Sequence, residues 1–196
     1  LQYAETEAGD LAVEFPAPFG ADAESLTQAI DAIAGARKRV ILAGGGVGKA
    51  DASEALAALA EKLDAPVITT PNGKGALRDD HPLLMGPVLL SRPILQAVQD
   101  ADLMIAVGTR FQAGVAGGQV AMPMPKMVHI DADPRNINLN YRPEVGVVGD
   151  AKLALEAIAE ADIESGDAQY KEQLLGLAGQ SKSGMRDRLG PDQAGI

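Results

Sequence analysis

Small, polar and charged residues follow five short apolar runs of this 196-residue chain, and they are the residues best suited to bind a ligand. The carboxyl ends of parallel strands share one edge of a sheet, and ligands bind at that edge. Glycine lets a ligand approach the backbone, and free N–H groups there can hold phosphate. The pattern predicts a crevice for an extended nucleotide, lined by Gly44, Gly45, Gly46, Thr70, Pro71, Asn72, Gly73, Gly108, Thr109, Arg110, Phe111, Asp131, Ala132, Asp133, Gly149, Asp150 and Ala151.

Two charged residues of this set have types that suit a nucleotide. Arg110 could hold a phosphate with a two-pronged guanidinium contact, and its alternative role is a structural ion pair. Asp131 ends its strand and could accept a hydrogen bond from a ribose hydroxyl. Asp131 and Asp133 resemble a metal-binding pair only superficially, because Asp133 precedes Pro134 in a typical helix-opening turn.

The glycine run comes close to two phosphate-binding motifs and completes neither. Residues 44–49 (GGGVGK) lack the third glycine of a dinucleotide fingerprint at its required offset. A P-loop would need glycine where Ala43 stands and Ser or Thr where Ala50 stands. The sequence therefore disfavours a kinase or NTPase.

No set of residues has the spacing of a catalytic centre. Cysteine is absent, which excludes a thiolate nucleophile or thiolate metal site. His81 precedes Pro82 and is interpreted as a loop histidine, whereas His129 lies within a strand and is interpreted as a core residue. We expect binding residues here, with no catalytic residue and no metal ligand.

The elements that must position these residues alternate along the chain. Continuously apolar strands are typical of a parallel sheet covered on both faces, and strand–helix alternation predicts a doubly wound, Rossmann-like α/β fold. We expect a helix from Tyr170 onward that ends by Gln180, and a cap from Asp51 or Ser53 on the second helix. The predicted strands are 40–43, 66–70, 103–107, 127–131 and 145–148, and the other predicted helices are 22–35, 51–63, one opened by 91–93, and 151–161.

Composition bounds the organisation and the partners. We expect a linker over 1–20, one domain over 21–165, and a helix with an exit linker over 166–196. A net charge of −10 and 3% aromatic residues argue against nucleic acid. No apolar run approaches the roughly 20 residues of a membrane span, and no signal peptide is evident, so we expect a cytoplasmic protein without membrane contact. The first residue is Leu1 rather than Met, which suggests an excised or processed segment.

Six segments in register resemble the central domain of thiamine-diphosphate-dependent enzymes, in the branch of acetolactate synthase. The resemblance runs from about residue 25 to 160. It is carried by 39–46 (RVILAGGG), 65–70 (APVITT), 73–75 (GKG) with 80–83 (DHPL), 101–111 (ADLMIAVGTRF), 128–134 (VHIDADP) and 149–151 (GDA).

The resemblance implies a parallel sheet of six strands between two catalytic domains that are not in this sequence. Those pyrimidine-binding and diphosphate-binding domains would hold thiamine diphosphate and magnesium, in a homodimer or homotetramer. Relatives in this family carry FAD or ADP on the middle domain. By motif, Gly44, Gly45 and Gly46 would approach such a cofactor, with Thr70, Pro71 and Asn72 as the next wall, Gly108, Thr109 and Arg110 on the phosphate side, and Asp131, Ala132, Asn136, Asp150 and Ala151 towards the adenosine.

Two departures from the flavin-containing members leave the occupant of the crevice open between FAD, ADP and no nucleotide. Residues 86–89 (GPVL) replace a Gly-Met-His-Gly stretch, and Gln112 with Ala113 replaces an Asp-Asp pair. The resemblance therefore implies a non-catalytic middle domain of a carboligase or decarboxylase acting on 2-oxo acids. A stand-alone FAD or ADP module of the electron-transfer-flavoprotein type is the alternative. A purely structural interface domain is another, with apolar residues 82–85 and 88–90 as surfaces bared by excision.

Overall fold

A computed structural model of the chain describes residues 17–87, 91–111 and 123–189. The predicted α/β alternation is confirmed. The strands are β1 (Arg39–Ala43), β2 (Val67–Thr69), β3 (Leu84–Gly86), β4 (Leu103–Val107), β5 (Met127–Asp131) and β6 (Val145–Val148). The helices are α1 (Ala23–Gly35), α2 (Gly45–Lys49), α3 (Ser53–Leu63), α4 (Arg92–Gln99), α5 (Ala151–Glu160) and α6 (Ala168–Leu189), with 3₁₀ turns at Pro71–Gly73 and Pro134–Asn136.

The six strands form one parallel sheet in the order β3-β2-β1-β4-β5-β6. The strand order reverses between β1 and β4, which pair over their whole length from Arg39–Leu103 to Ala43–Val107. This is the doubly wound topology, in which the crevice for a ligand opens where the order reverses. The predicted fold class and the implied strand number are therefore confirmed.

Each face of the sheet is covered by its own helical layer. Alternate residues of β1 point to opposite layers, with Ile41 in one and Val40 in the other. One layer is formed by α1, α3 and α5, with buried Ile33, Leu56, Leu59, Leu63, Leu155 and Ile158. The other is formed by α4 and α6, with buried Ile94, Val98, Tyr170 and Leu174. Burial on both faces explains why the strands are apolar without alternation.

The helix starts correct one sequence interpretation. Asp22 caps α1, since its Oδ1 accepts a hydrogen bond from the Ser25 N–H at 2.8 Å. The side-chain cap predicted from Asp51 or Ser53 for the helix that is α3 in the structure is wrong. Ala52 holds the cap position of α3, and no side chain forms a hydrogen bond there. Asp51 has a left-handed φ of 50° and lies in the turn between α2 and α3. Ser91 stands at the start of α4, but its side chain makes no cap hydrogen bond.

Two further expectations differ from the structure. The C-terminal helix does not end by Gln180 but continues to Leu189. Residues 82–85 are not a bare apolar surface, because Leu83 and Met85 are buried and residues from Leu84 form the edge strand β3. Residues 88–90, the other stretch expected to be bare, lie outside the described residues. Among the helices that are described, none combines the length and apolar character needed to cross a membrane.

Candidate functional site

The turns after β1 and β4 meet at the carboxyl edge of the sheet. Each turn needs glycine because the other turn leaves no room for a Cβ. A Cβ on Gly44 would lie 2.2 Å from the Gly108 carbonyl oxygen, and one on Gly46 would lie 2.5 Å from the Gly108 Cα. Gly108 also has a left-handed φ of 58°. The Gly46 N–H donates to the Gly108 carbonyl at 3.0 Å. The close contact of the two turns is sufficient to explain these three glycines, with or without a ligand.

Most backbone N–H groups of this edge already have protein partners. Those of Gly44, Gly108 and Thr70 donate to the carbonyls of Val107, Ile130 and Ala43. Within the described ranges, the N–H groups of Gly45, Thr109 and Arg110 donate to no protein atom. Three donors on adjacent turns, without a partner in the described chain, are therefore suited to an anionic ligand.

The turn after β2 forms a wall beside α2. Thr70 caps the 3₁₀ turn at Pro71–Gly73, and its Oγ1 accepts from the Gly73 N–H at 3.1 Å. Pro71 and Asn72 are exposed, and a Cβ on Gly45 would lie 3.1 Å from the Asn72 carbonyl oxygen. The sequence-predicted wall of Thr70, Pro71 and Asn72 therefore does stand next to the glycine turn.

Asp131 lies at the end of β5 with one carboxylate oxygen occupied. Its Oδ1 accepts from the Asp133 N–H and from Asn136 Nδ2, both at 2.9 Å, and its side chain is almost entirely buried. No described residue donates to Oδ2, so that oxygen can accept a hydrogen bond from a ligand. Asn136 thus reaches Asp131, as a residue that orients the carboxylate. Ala132 is exposed beside it.

Asp133 does not join Asp131 in a metal site. Its side chain bonds the Arg135 guanidinium, with Oδ2 and Nη2 2.7 Å apart, and caps the following 3₁₀ turn. These hydrogen bonds from Arg135 lower the pKa of Asp133 to about 2. In the part of the chain that the structure describes, no cluster of three His, Asp or Glu side chains is arranged to hold a metal ion.

The turn after β4 is held by His129 and Phe111 together with Asn140 and Tyr141, and the last two were not selected from the sequence. The His129 imidazole, 1% exposed, lies with Nε2 2.8 Å from the Thr109 carbonyl oxygen. Because a carbonyl only accepts, Nε2 carries the proton. Phe111 packs edge-on against His129 and Tyr141, with ring centroids 5.4 and 5.0 Å apart. Asn140 Nδ2 donates to the Arg110 carbonyl at 2.6 Å.

His129 is a core residue, as its position within a strand predicted. Only one of its two ring nitrogens has a hydrogen-bond partner among the described residues. Its Nδ1 is buried without a hydrogen-bond partner among the described residues. Burial lowers the pKa of His129, against the Thr109 carbonyl and Asp131, which act to raise it. The imidazole is therefore held neutral, which suits a positioning role better than that of a charged ligand contact.

Arg110 extends from the clamped turn into solvent. Its guanidinium forms no ion pair with a described residue, so the structural ion pair considered from the sequence is not seen there. Its charge contributes to lowering the pKa of Asp133, which places it on the β5 side of the crevice. Residues 112–122, including the departures at Gln112 and Ala113, lie outside the described residues.

The end of β6 is covered by the chain segment before α1. The Asp150 N–H donates to the Phe19 carbonyl at 2.9 Å, and a Cβ on Gly149 would lie 2.8 Å from the Ala21 nitrogen. The Asp150 carboxylate caps α5 by accepting from the Lys152 and Leu153 N–H groups at 3.0 and 3.2 Å. Ala151 is buried in the first turn of α5. Nothing in the sequence pattern of residues 17–21 signals this contact, because it joins residues about 130 positions apart.

His81 lies away from this edge, as a loop histidine before β3. Its Nδ1 accepts from the Leu83 N–H at 3.2 Å, and its Nε2 is 3.3 Å from Glu61 Oε1. It contacts none of the crevice residues through these bonds. The structure thus brings the sequence-predicted binding residues to one edge and adds Phe19, Asn140 and Tyr141 to them.

Comparisons with known proteins find a matching family and several similar proteins. The family described as "Thiamine pyrophosphate enzyme, central domain" matches residues 26–158. A protein named as an acetolactate synthase large subunit from Methanocaldococcus jannaschii is 42% identical over 139 residues, 69% of this chain and 24% of that protein. One named as a 2-ketoarginine decarboxylase from Pseudomonas aeruginosa is 40% identical over 136 residues, 69% of this chain and 24% of that protein.

A solved structure described as a thiamin diphosphate-dependent enzyme from Mycobacterium smegmatis is also similar. It superposes with a TM-score of 0.64 at 31% identity and covers 82% of this chain and 31% of that chain. The chain therefore spans about a quarter of the length of the curated relatives it matches. These matches support the resemblance seen in the sequence and give no support to an electron-transfer-flavoprotein module.

Proposed function

Because this chain belongs to the central-domain family of thiamine pyrophosphate enzymes, we propose that it is the non-catalytic middle domain of a carboligase or decarboxylase acting on 2-oxo acids. The observation that carries this proposal is the extent of the match, since residues 26–158 include all six strands and both crevice-forming turns. The names of the relatives, a synthase and a 2-keto acid decarboxylase, support the two reaction classes.

The proposal assigns the chemistry to parts of the complete protein other than this chain. Thiamine diphosphate and magnesium would be bound by a pyrimidine-binding and a diphosphate-binding domain of the same polypeptide. The middle domain would hold those two at a fixed separation, within a homodimer or homotetramer in the cytoplasm. The rigidity this requires is supported by a sheet whose central strands β1 and β4 are buried along their whole length.

A turnover assay tests this division of labour. The 196-residue chain and the complete protein are each supplied with thiamine diphosphate, Mg²⁺ and pyruvate, and release of CO₂ is measured. We expect turnover by the complete protein and none by the chain. Turnover by the purified chain would refute the proposal, as would a complete protein that is inactive towards pyruvate and a panel of other 2-oxo acids.

An adenine nucleotide, as ADP or as part of FAD, is a second candidate function of the carboxyl edge. In a dinucleotide-binding half-fold, a glycine turn after one strand is followed about 20 residues later by an acidic residue that binds ribose. Gly108 after β4 and Asp131 at the end of β5 stand in that relation, and Asp131 Oδ2 is free of described donors. The N–H groups of Gly45, Thr109 and Arg110 suit phosphate oxygens.

Residues of the chain therefore fit the adenosine and phosphate parts of such a ligand. Asp131 would orient the ribose, the three N–H groups and Arg110 would bind phosphate, and Asn136 would hold Asp131 in place. The test is a thermal shift with ADP and with FAD on the chain. We expect a concentration-dependent rise in Tm that Asp131→Asn abolishes, and no shift with either ligand would eliminate this candidate.

A further inference from the structure

We infer that Phe19 supplies the stacking surface for the base of the adenine nucleotide at the carboxyl edge. This inference rests on the second proposed function, binding of an adenine nucleotide. Phe19 precedes the residues that match the family, 26–158, so it is a feature of this chain rather than of that match. Three observations carry the inference: where the backbone of Phe19 is held, how exposed its ring is, and what lies on either side of it.

The backbone of Phe19 is fixed to the end of the strand next to Asp131. Its carbonyl accepts from the Asp150 N–H at 2.9 Å, and the preceding N–H, that of Gly149, donates to the Asp131 carbonyl at 3.1 Å. Two hydrogen bonds from neighbouring residues thus tie Phe19 and Asp131 to the same turn. The absence of a Cβ on Gly149 permits this approach, because one there would lie 2.8 Å from the Ala21 nitrogen.

The ring of Phe19 is half open to solvent although the chain has few aromatic side chains. Its exposure is 48%, and the other exposed large apolar residues of the described chain are Leu139 and Leu153. The sequence contains three Phe, three Tyr and no Trp, so an exposed aromatic ring is a scarce feature of this chain. An aromatic face offers a stacking surface that every nucleobase can use.

The order of groups along the edge matches the order of groups in a nucleotide. Phosphate donors lie on the turns after β1 and β4, the ribose acceptor Asp131 lies on β5, and Phe19 lies beyond it at the end of β6. In a nucleotide, the ribose stands between the base at C1′ and the phosphate at C5′. Phe19 is the aromatic residue of the described chain whose backbone is bonded at that end of the series.

Calorimetric titration of the 196-residue chain with ADP and with ribose 5-phosphate tests the inference. Phe19→Ala should weaken ADP binding roughly tenfold, in line with the loss of one base–aromatic stack. Phe19→Trp should preserve or strengthen it. Ribose 5-phosphate, which has no base, should bind both variants as it binds the unaltered chain. Leu153→Ala, which removes an exposed apolar side chain near the same helix start, serves as the matched control and should leave ADP binding unchanged.

The outcomes distinguish a failure of the stacking role of Phe19 from a failure of the proposed nucleotide binding. If ADP binds, Asp131→Asn weakens it and Phe19→Ala does not, the stacking role is wrong and the nucleotide site stands. If Phe19→Ala weakens ribose 5-phosphate as much as ADP, Phe19 acts on the shape of the site and the stacking role is again wrong. If ADP fails to bind the unaltered chain, the nucleotide function fails and the role of Phe19 fails with it.

Discussion

Residues at the carboxyl edge have two different roles. Some allow the turns to pack against each other, and others have hydrogen-bonding groups that a ligand could use. Gly44, Gly46 and Gly108 let two turns touch. Asp131 Oδ2 and the N–H groups of Gly45, Thr109 and Arg110 instead have no hydrogen-bond partner among the described residues. His129 belongs to the first kind, because its Nε2–H bond to Thr109 and its contact with Phe111 hold the turn after β4. The shape of the crevice thus depends on residues that no ligand needs to touch.

Gly108→Ala tests the contact between the two turns. The new Cβ would lie 2.5 Å from the Gly46 Cα, at a φ of 58° that disfavours L residues. We expect the free energy of unfolding to fall by roughly 2 kcal/mol or more. Gly176→Ala is the control, because a Cβ there meets nothing within 4 Å. Alanine in place of glycine within a helix should raise the free energy of unfolding by up to about 1 kcal/mol. Urea unfolding of both variants measures the difference, and equal effects would contradict the contact.

The buried imidazole of His129 predicts a loss of stability in mild acid. Because burial lowers its folded-state pKa, the unfolded chain binds the proton more tightly. The contribution of the neutral ring is complete above the unfolded-state pKa of about 6.5 and is lost as the pH falls below it. His129→Gln keeps a donor for the Thr109 carbonyl and removes the titration. Urea midpoints at pH 8 and pH 5.5 should therefore differ less in His129→Gln than in the unaltered chain, and an equal difference would refute the role of His129.

At the scale of elements, α6 completes the second layer of the domain. It lies beyond the residues that match the family, yet its own Tyr170 and Leu174 are buried. The Tyr170 hydroxyl donates to the Ala97 carbonyl of α4 at 2.9 Å. Lys182 Nζ reaches the Leu84 carbonyl of β3 at 3.4 Å. The helix therefore covers α4 and the edge strand together, which gives a physical reason for its continuation past Gln180.

Leu174→Ala measures how strongly α6 is held. The side chain is fully buried between α6 and its layer, so we expect a loss of about 2–5 kcal/mol in the free energy of unfolding. Gln173→Ala, one residue earlier on the exposed side, should stay within about 0.5 kcal/mol of the unaltered chain. Thermal or urea unfolding distinguishes the two. A Leu174→Ala effect as small as that of Gln173→Ala would mean that α6 does not pack as described.

How far the elements could be predicted depended on how local their causes are. β4 matches its predicted bounds because its five apolar residues are followed at once by Gly108. β3 was missed, since three residues that contain Gly86 carry no pattern and become a strand only by pairing with β2. α2 was missed for the same reason, because a five-residue helix that contains three glycines forms only where the turn after β4 supports it.

The residues of the candidate site could likewise be predicted only where the cause of their position is local in the sequence. Its strand-end residues followed from the rule that parallel strands share a carboxyl edge, and the structure does bring Gly44, Thr70, Gly108 and Asp131 together there. Phe19 and Tyr141 could not be found in this way. Their places depend on contacts between segments distant in sequence, such as the bond from Asp150 to Phe19.

On the scale of the whole molecule, the edge of the sheet formed by the amino ends of the strands differs in role from the edge formed by their carboxyl ends. At the amino edge, the link from α5 to α6 is fastened to β1, where Arg39 Nη1 donates to the Glu164 carbonyl at 2.8 Å and the Arg37 carbonyl accepts from the Asp167 N–H at 2.9 Å. Arg39 is 2% exposed, and burial lowers its pKa. The carboxyl edge carries the crevice.

The position of thiamine diphosphate in a crystal structure of the complete protein, grown with the cofactor and Mg²⁺, tests the central claim most directly. The claim is that this chain is the middle domain of a thiamine enzyme and holds none of its catalytic machinery. We predict thiamine diphosphate in contact with other parts of the polypeptide, and no atom of it within contact distance of the turns at 44–46 and 108–110. Thiamine diphosphate bound on those turns, or coordinated through Asp131, would contradict the claim.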